Sequence, residues 1–129
     1  MLTATPPGWP RPKGYANAVI AEGKTVYLAG MVGWTAEEKF ETDDFVGQFR
    51  QALKNIVDAL AAAGARPDQI VRMTWFIGDK QAYLAGMKEV GAAYREVIGR
   101  HYPAMSVIEV KGFIEDRAKL EIEATAVIE

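Results

Sequence analysis

The chain has 129 residues, half hydrophobic and a quarter charged, which bounds it to one globular domain over 1–129. Its formal charge of −2 supplies no basic field for nucleic acid or an anionic membrane. With no cysteine and one histidine, disulfides, thiol catalysis and thiolate metal sites are excluded, and a structural zinc site lacks ligands. Met1 to Pro7 contains no apolar signal core, and no apolar run approaches membrane-spanning length. A cytoplasmic protein without a membrane partner is therefore expected. No phosphate loop or dinucleotide fingerprint is present, so no cofactor is expected either.

Pro6, Pro7, Gly8, Pro10, Pro12 and Gly14 make residues 1–14 an extended, turning arm. Ala16 to Ile20 and Thr25 to Ala29 read as a hairpin around Glu22-Gly23-Lys24. A polar loop, Thr35 to Asp44, ends on Asp43 and Asp44, either of which can cap the helix that follows. In that helix Phe45, Phe49, Ala52, Leu53, Ile56, Val57 and Leu60 fall on one stripe. Gly64 stops it and Pro67 confirms the break. Ile70 to Ile77 is a strand, and Asp79 caps a second helix that runs to about Ile98 and ends at Gly99. Two last strands, about Ala104 to Val110 and Leu120 to Ile128, flank a charged loop from Lys111 to Lys119. The order is ββαβαββ, an α+β two-layer sandwich with two helices on one sheet face.

Val71, Met73, Trp75 and Ile77, with Leu120, Ile122, Ala124 and Ala126, form a wholly apolar set that suits the helices. The alternate set mixes Arg72, Thr74, Phe76, Glu121, Glu123 and Thr125. Phe76, Val107, Val127 and Tyr27 on that second side predict cover by another subunit.

Several stretches carry a family resemblance. Lys13-Gly14-Tyr15-Ala16-Asn17-Ala18-Val19, Val26 to Gly33, Gln48 to Gly64, Ile70 to Asp79, Tyr102-Pro103-Ala104-Met105-Ser106-Val107-Ile108-Glu109-Val110 and Leu120 to Val127 follow one another in the order and spacing of the Rid family. These are the RidA/YjgF-type reactive-intermediate deaminases, also labelled endoribonuclease L-PSP. The resemblance implies a chorismate-mutase-like fold and a homotrimer whose sheets face a common centre, with small-molecule clefts between subunits.

It also implies a site. Glu121 would hold the water that attacks a C=N carbon, or act as its general base, and Tyr15 would form the aromatic wall of the catalytic cleft. Gly30 ends the second strand, and Ser106 and Val107 offer backbone contacts. The deaminating members carry an arginine where this chain has Met105, and Met31 replaces the usual glutamine. An arginine fork grips a carboxylate through two parallel hydrogen bonds, which a thioether does not reproduce. Lys13, Arg72 and Lys111 are the cations that would replace the clamp, against the plainer reading that all three are solvated. Trp34 either lines the pocket or packs on its own subunit.

Glu121 and Glu123 share a face, where a salt bridge to Arg72 or Lys119 is the structural alternative. Glu109 reads as structural. His101, at a helix C-terminus, suits the helix dipole better than a nucleophilic pair with Ser106. The endoribonuclease label finds little support, since Arg11 and Lys13 are the only basic feature set apart from ordinary surface charge. The resemblance, with Met105 at the arginine position, implies an enamine/imine deaminase-like hydrolase of altered specificity. The alternative is a non-catalytic trimeric binding protein using the same cleft.

Overall fold

The computed structural model describes residues 1–129. Its strands are β1 (Leu2–Ala4), β2 (Ala18–Ile20), β3 (Lys24–Tyr27), β4 (Met31–Val32), β5 (Ile70–Ile77), β6 (Ala104–Glu109) and β7 (Leu120–Ile128). Its helices are α1 (Phe45–Ala62), α2 (Lys80–Ala85) and α3 (Met87–Val97). The main sheet runs β3-β7-β5-β6, with β4 also paired to β7. All three helices lie over one face of this mixed sheet, giving the expected α+β sandwich. No helix is long and apolar enough to cross a membrane.

Asp44, not Asp43, caps α1: its carboxylate accepts from the Gly47 N–H at 2.8 Å. Phe49, Ala52, Leu53, Ile56 and Leu60 bury the predicted stripe. Gly64, at φ +81°, turns the chain out of the helix, and the Ala65 N–H donates back to the Leu60 carbonyl at 2.8 Å. Gln48, also fully buried, lies beyond the apolar stripe. Its amide donates to the Thr42 and Arg117 carbonyls at 2.9 and 3.0 Å and accepts from the Lys119 N–H at 2.8 Å. One side chain thus pins the start of β7 and two loops to α1.

The hairpin expected between Ala16–Ile20 and Thr25–Ala29 does not form. β2 pairs with β1 in a separate two-stranded ribbon, while β3 joins the edge of the main sheet against β7. Three- and four-residue strands carry too little alternation to choose a partner, and β7 offers nine residues of edge. The N-terminal arm is correspondingly more ordered than its prolines suggest. The second helix is broken, because Gly86 ends α2 by donating to the Ala82 carbonyl at 3.1 Å and α3 starts afresh at Met87.

Parallel pairing of β6 with β5 is bridged by α2 and α3, the crossover that a parallel pair requires. Beneath it Phe49 meets Trp75 edge-on, Trp75 tilts against Tyr94, and Tyr94 stacks on Tyr102 at 5.6 Å. The Tyr94 hydroxyl donates to the His101 carbonyl. Burial, then the neighbouring Tyr102, pushes the Tyr94 phenol well above its ordinary value. Below about pH 10 the phenol is neutral in folded and unfolded chains alike. Above it the unfolded chain ionises and the folded one does not. Stability should therefore fall as pH rises past 10, by up to about 1.4 kcal/mol per unit from this group. Urea titrations on either side of that pH check this, and Tyr94→Phe should flatten the slope.

Candidate active site

Strand register decides which candidates meet. In the β5–β6 ladder Met73 pairs with Met105 and Trp75 with Val107, so Met105 and Val107 share the helix-covered face. This corrects the expectation for Val107, which was placed on the open face with Phe76. Ser106 pairs with Thr74 and faces the other way. The far edge of β6 pairs with no strand beyond an isolated Ala16–Ala104 bridge, which leaves backbone groups there without sheet partners.

Met105 and Val107 lie in a cavity of about 450 Å³ with Tyr15 and Lys13 at one side and Trp75 behind. Helices α2 and α3 supply Tyr83, Met87, Tyr94 and Arg95. Burial raises the Tyr83 phenol as it does that of Tyr94, so both walls stay neutral and weakly polar. Of these residues the sequence had singled out Tyr15, Lys13, Met105 and Val107. Trp75 was expected among the apolar set, and no local signal marks Tyr83, Met87, Tyr94 or Arg95.

Glu121 and Gly30 come together elsewhere. Glu121 pairs with Phe76 on one side and Val32 on the other, and so occupies the open sheet face. A Cβ built on Gly30 would stand 2.3 Å from the Glu121 Oε2, so the glycine leaves the room that the carboxylate fills. Glu121 is half-buried and enters none of the chain's four ion pairs. The alternative salt bridge to Arg72 or Lys119 is not formed. Two interstrand steps, about 10 Å in all, separate the β7 and β6 backbones, and Glu121 and Met105 point to opposite faces. Within one chain they do not share a pocket.

The remaining candidates scatter. Met31 packs into the core opposite Ile122. Trp34 tilts against Phe40 at 5.7 Å in a separate concavity beside Arg117. Arg72 stands on the open face near Tyr27, Thr74 and Glu123. Lys111 lines a larger cleft of about 850 Å³ among carboxylates that include Asp79, Glu89 and Asp116. Of the three candidate cations, only Lys13 reaches the Met105 pocket. His101 donates from Nε2 to the Ile70 carbonyl at 2.7 Å, which commits that nitrogen to the fold. Glu109 accepts from the Lys80 N–H at 2.7 Å at the start of α2, a structural role.

The family model described as Endoribonuclease L-PSP matches residues 10–128, nearly the whole chain. The chain belongs to the Rid family. A RutC family protein of Pyrococcus horikoshii is 31% identical over 118 residues, covering 91% of this chain and 90% of its own. The 2-iminobutanoate/2-iminopropanoate deaminase of Salmonella typhimurium is 32% identical over 108 residues, covering 81% and 80%. A crystal structure of the Rid-family protein of unknown function YyfB from Yersinia pestis aligns with a TM-score of 0.86 at 28% identity over 98% of both chains. In this Rid protein the two clusters, Tyr15–Met105–Val107 and Gly30–Glu121, sit on opposite faces of one sheet.

Proposed function

We propose that this Rid protein is an enamine/imine deaminase-like hydrolase whose site is completed between copies of a homotrimer. The observation that carries it is Glu121, a half-buried carboxylate without an ion pair, seated in the space that Gly30 leaves. Such a group can take a proton from water as the oxygen adds to a C=N carbon, then return it to nitrogen as the carbinolamine collapses to carbonyl compound and ammonia. Proximity supplies most of what this reaction needs. The name of the Salmonella relative supports the reaction class. The homotrimer is supported by the open sheet face, where Tyr27 is 80% exposed and Ile108 46%, and by the free edge of β6. Docking a neighbour there would bring its residues to Glu121.

Specificity has moved away from small 2-imino acids, because Met105 stands where deaminating members place arginine. Adding Met105→Arg should raise kcat/KM for 2-iminopropanoate, generated in situ, by about tenfold or more. The measurement is ammonia release above the spontaneous rate. If neither protein exceeds that rate with any imine offered, the hydrolase reading fails. The apolar pocket around Met105 then favours a non-catalytic binding protein.

A further inference from the structure

We infer that the Met105 pocket takes a carboxylate carried on an aromatic or bulky apolar body, and that Arg95, assisted by Lys13, holds the carboxylate that Met105 cannot. The inference deepens the reading of this pocket as the substrate-binding half of the site, and rests on it to that extent. Nine of its thirteen lining residues are hydrophobic. The only charged ones are Lys13 and Arg95, and no aspartate or glutamate lines it. That balance contrasts with the larger cleft, where carboxylates dominate. Neither Lys13 nor Arg95 joins any of the four ion pairs, so both charges are available to a ligand.

Arg95 is placed by the helix that carries it. Gly91 lies one turn earlier on α3, and a Cβ there would stand 3.3 Å from Arg95 Nη1. The guanidinium therefore lies back over the bare backbone of Gly91, and both residues line the pocket. A planar fork in that position offers paired donors to a carboxylate. Trp75, Tyr83, Tyr94, Met87 and Met105 then offer ring faces and thioethers to an apolar body. At about 450 Å³ the space equals that of about fifteen waters. A three-carbon imino acid would leave most of it wet, whereas an acid carrying a phenyl ring would displace several more of those waters from the apolar wall.

Calorimetric titration of the assembled protein with 3-phenylpropanoate, 3-phenylpropanamide and propanoate tests this without any turnover. The aromatic acid should bind at least about tenfold more tightly than either the amide or propanoate. Arg95→Gln should erase the preference for acid over amide while the ring's contribution stays, and Met87→Glu should abolish acid binding. Equal affinity for acid and amide, equal affinity for propanoate, or a preference that survives Arg95→Gln would overturn the assignment. Imine hydrolysis separates the two readings. Tight binding of the aromatic acid with no hydrolysis of the phenylpyruvate imine upholds the pocket and removes the hydrolase. Hydrolysis of 2-iminopropanoate without preference for the aromatic acid does the reverse.

Discussion

If the proposed hydrolysis is right, imine turnover should fall by at least about 100-fold in Glu121→Gln, and Gly30→Ala should reproduce that loss with Glu121 still present. A general base contributes roughly two to four orders of magnitude, and a glutamine keeps the shape without the basicity. The second variant is the sharper test. The added methyl would stand 2.3 Å from Oε2 and 2.8 Å from Cδ of Glu121, so what it meets first is the flexible end of that side chain. The carboxylate swings aside and the fold keeps its stability to within about 0.5 kcal/mol. Steady-state kinetics on in-situ imines, with urea unfolding as the control, measures both. A Gly30→Ala protein that turns over normally removes Glu121 from the reaction. Because Tyr15 belongs to the other cluster, unfolding Gly30→Ala and Tyr15→Ala together and refolding the mixture should recover activity that neither has alone. Failure to recover any would place the whole site within one subunit.

Gln48→Leu should destabilise the fold by about 3 kcal/mol while filling nearly the same volume. The loss is of polar satisfaction, not packing. The Thr42 and Arg117 carbonyls lose their donor and the Lys119 N–H loses its acceptor, each a part-buried backbone group. An unpaired buried group costs about 1–3 kcal/mol, and water relieves some of it here. Gln48→Glu keeps an acceptor for Lys119 but faces two carbonyl oxygens with a carboxylate, so it should be no better. A lower urea midpoint at unchanged slope is the expected result. An unchanged midpoint would mean that the loop from Lys111 to Lys119 is held by other means.

Much of this fold was legible because its long elements repeat their signal. The α1 stripe from Phe49 to Leu60 spans three turns, and Asp44 and Gly64 punctuate it. The alternation in β5 and β7 persists long enough to separate a helix-facing set from an open one, and the structure buries Met73, Trp75, Ile77, Leu120, Ile122, Ala124 and Ala126 as expected. A register shift between Ile70 and Arg72 puts Ile70 in the core and leaves Val71, expected there, only partly buried. The short N-terminal strands form no hairpin, because three residues do not specify a partner. Val107 faces the helices, against expectation, for a related reason. A strand's pattern says which residues alternate, but its register against β5 says which set faces the helices, and a one-residue shift exchanges them.

The sequence by itself determined the family, the α+β layering and the uncharged Met105 at the start of β6. Those rest on residue identity and on periods that local chemistry imposes. Only the tertiary structure decided which candidates meet. The β5–β6 register sent Met105 to the helix side with Lys13 and Tyr15, while Glu121 stayed with Gly30 across the sheet. The crossover through α3 brought Arg95, which no sequence motif marks, to the same pocket. Such proximity comes from pairing and packing between residues distant in the chain, and no local pattern encodes it.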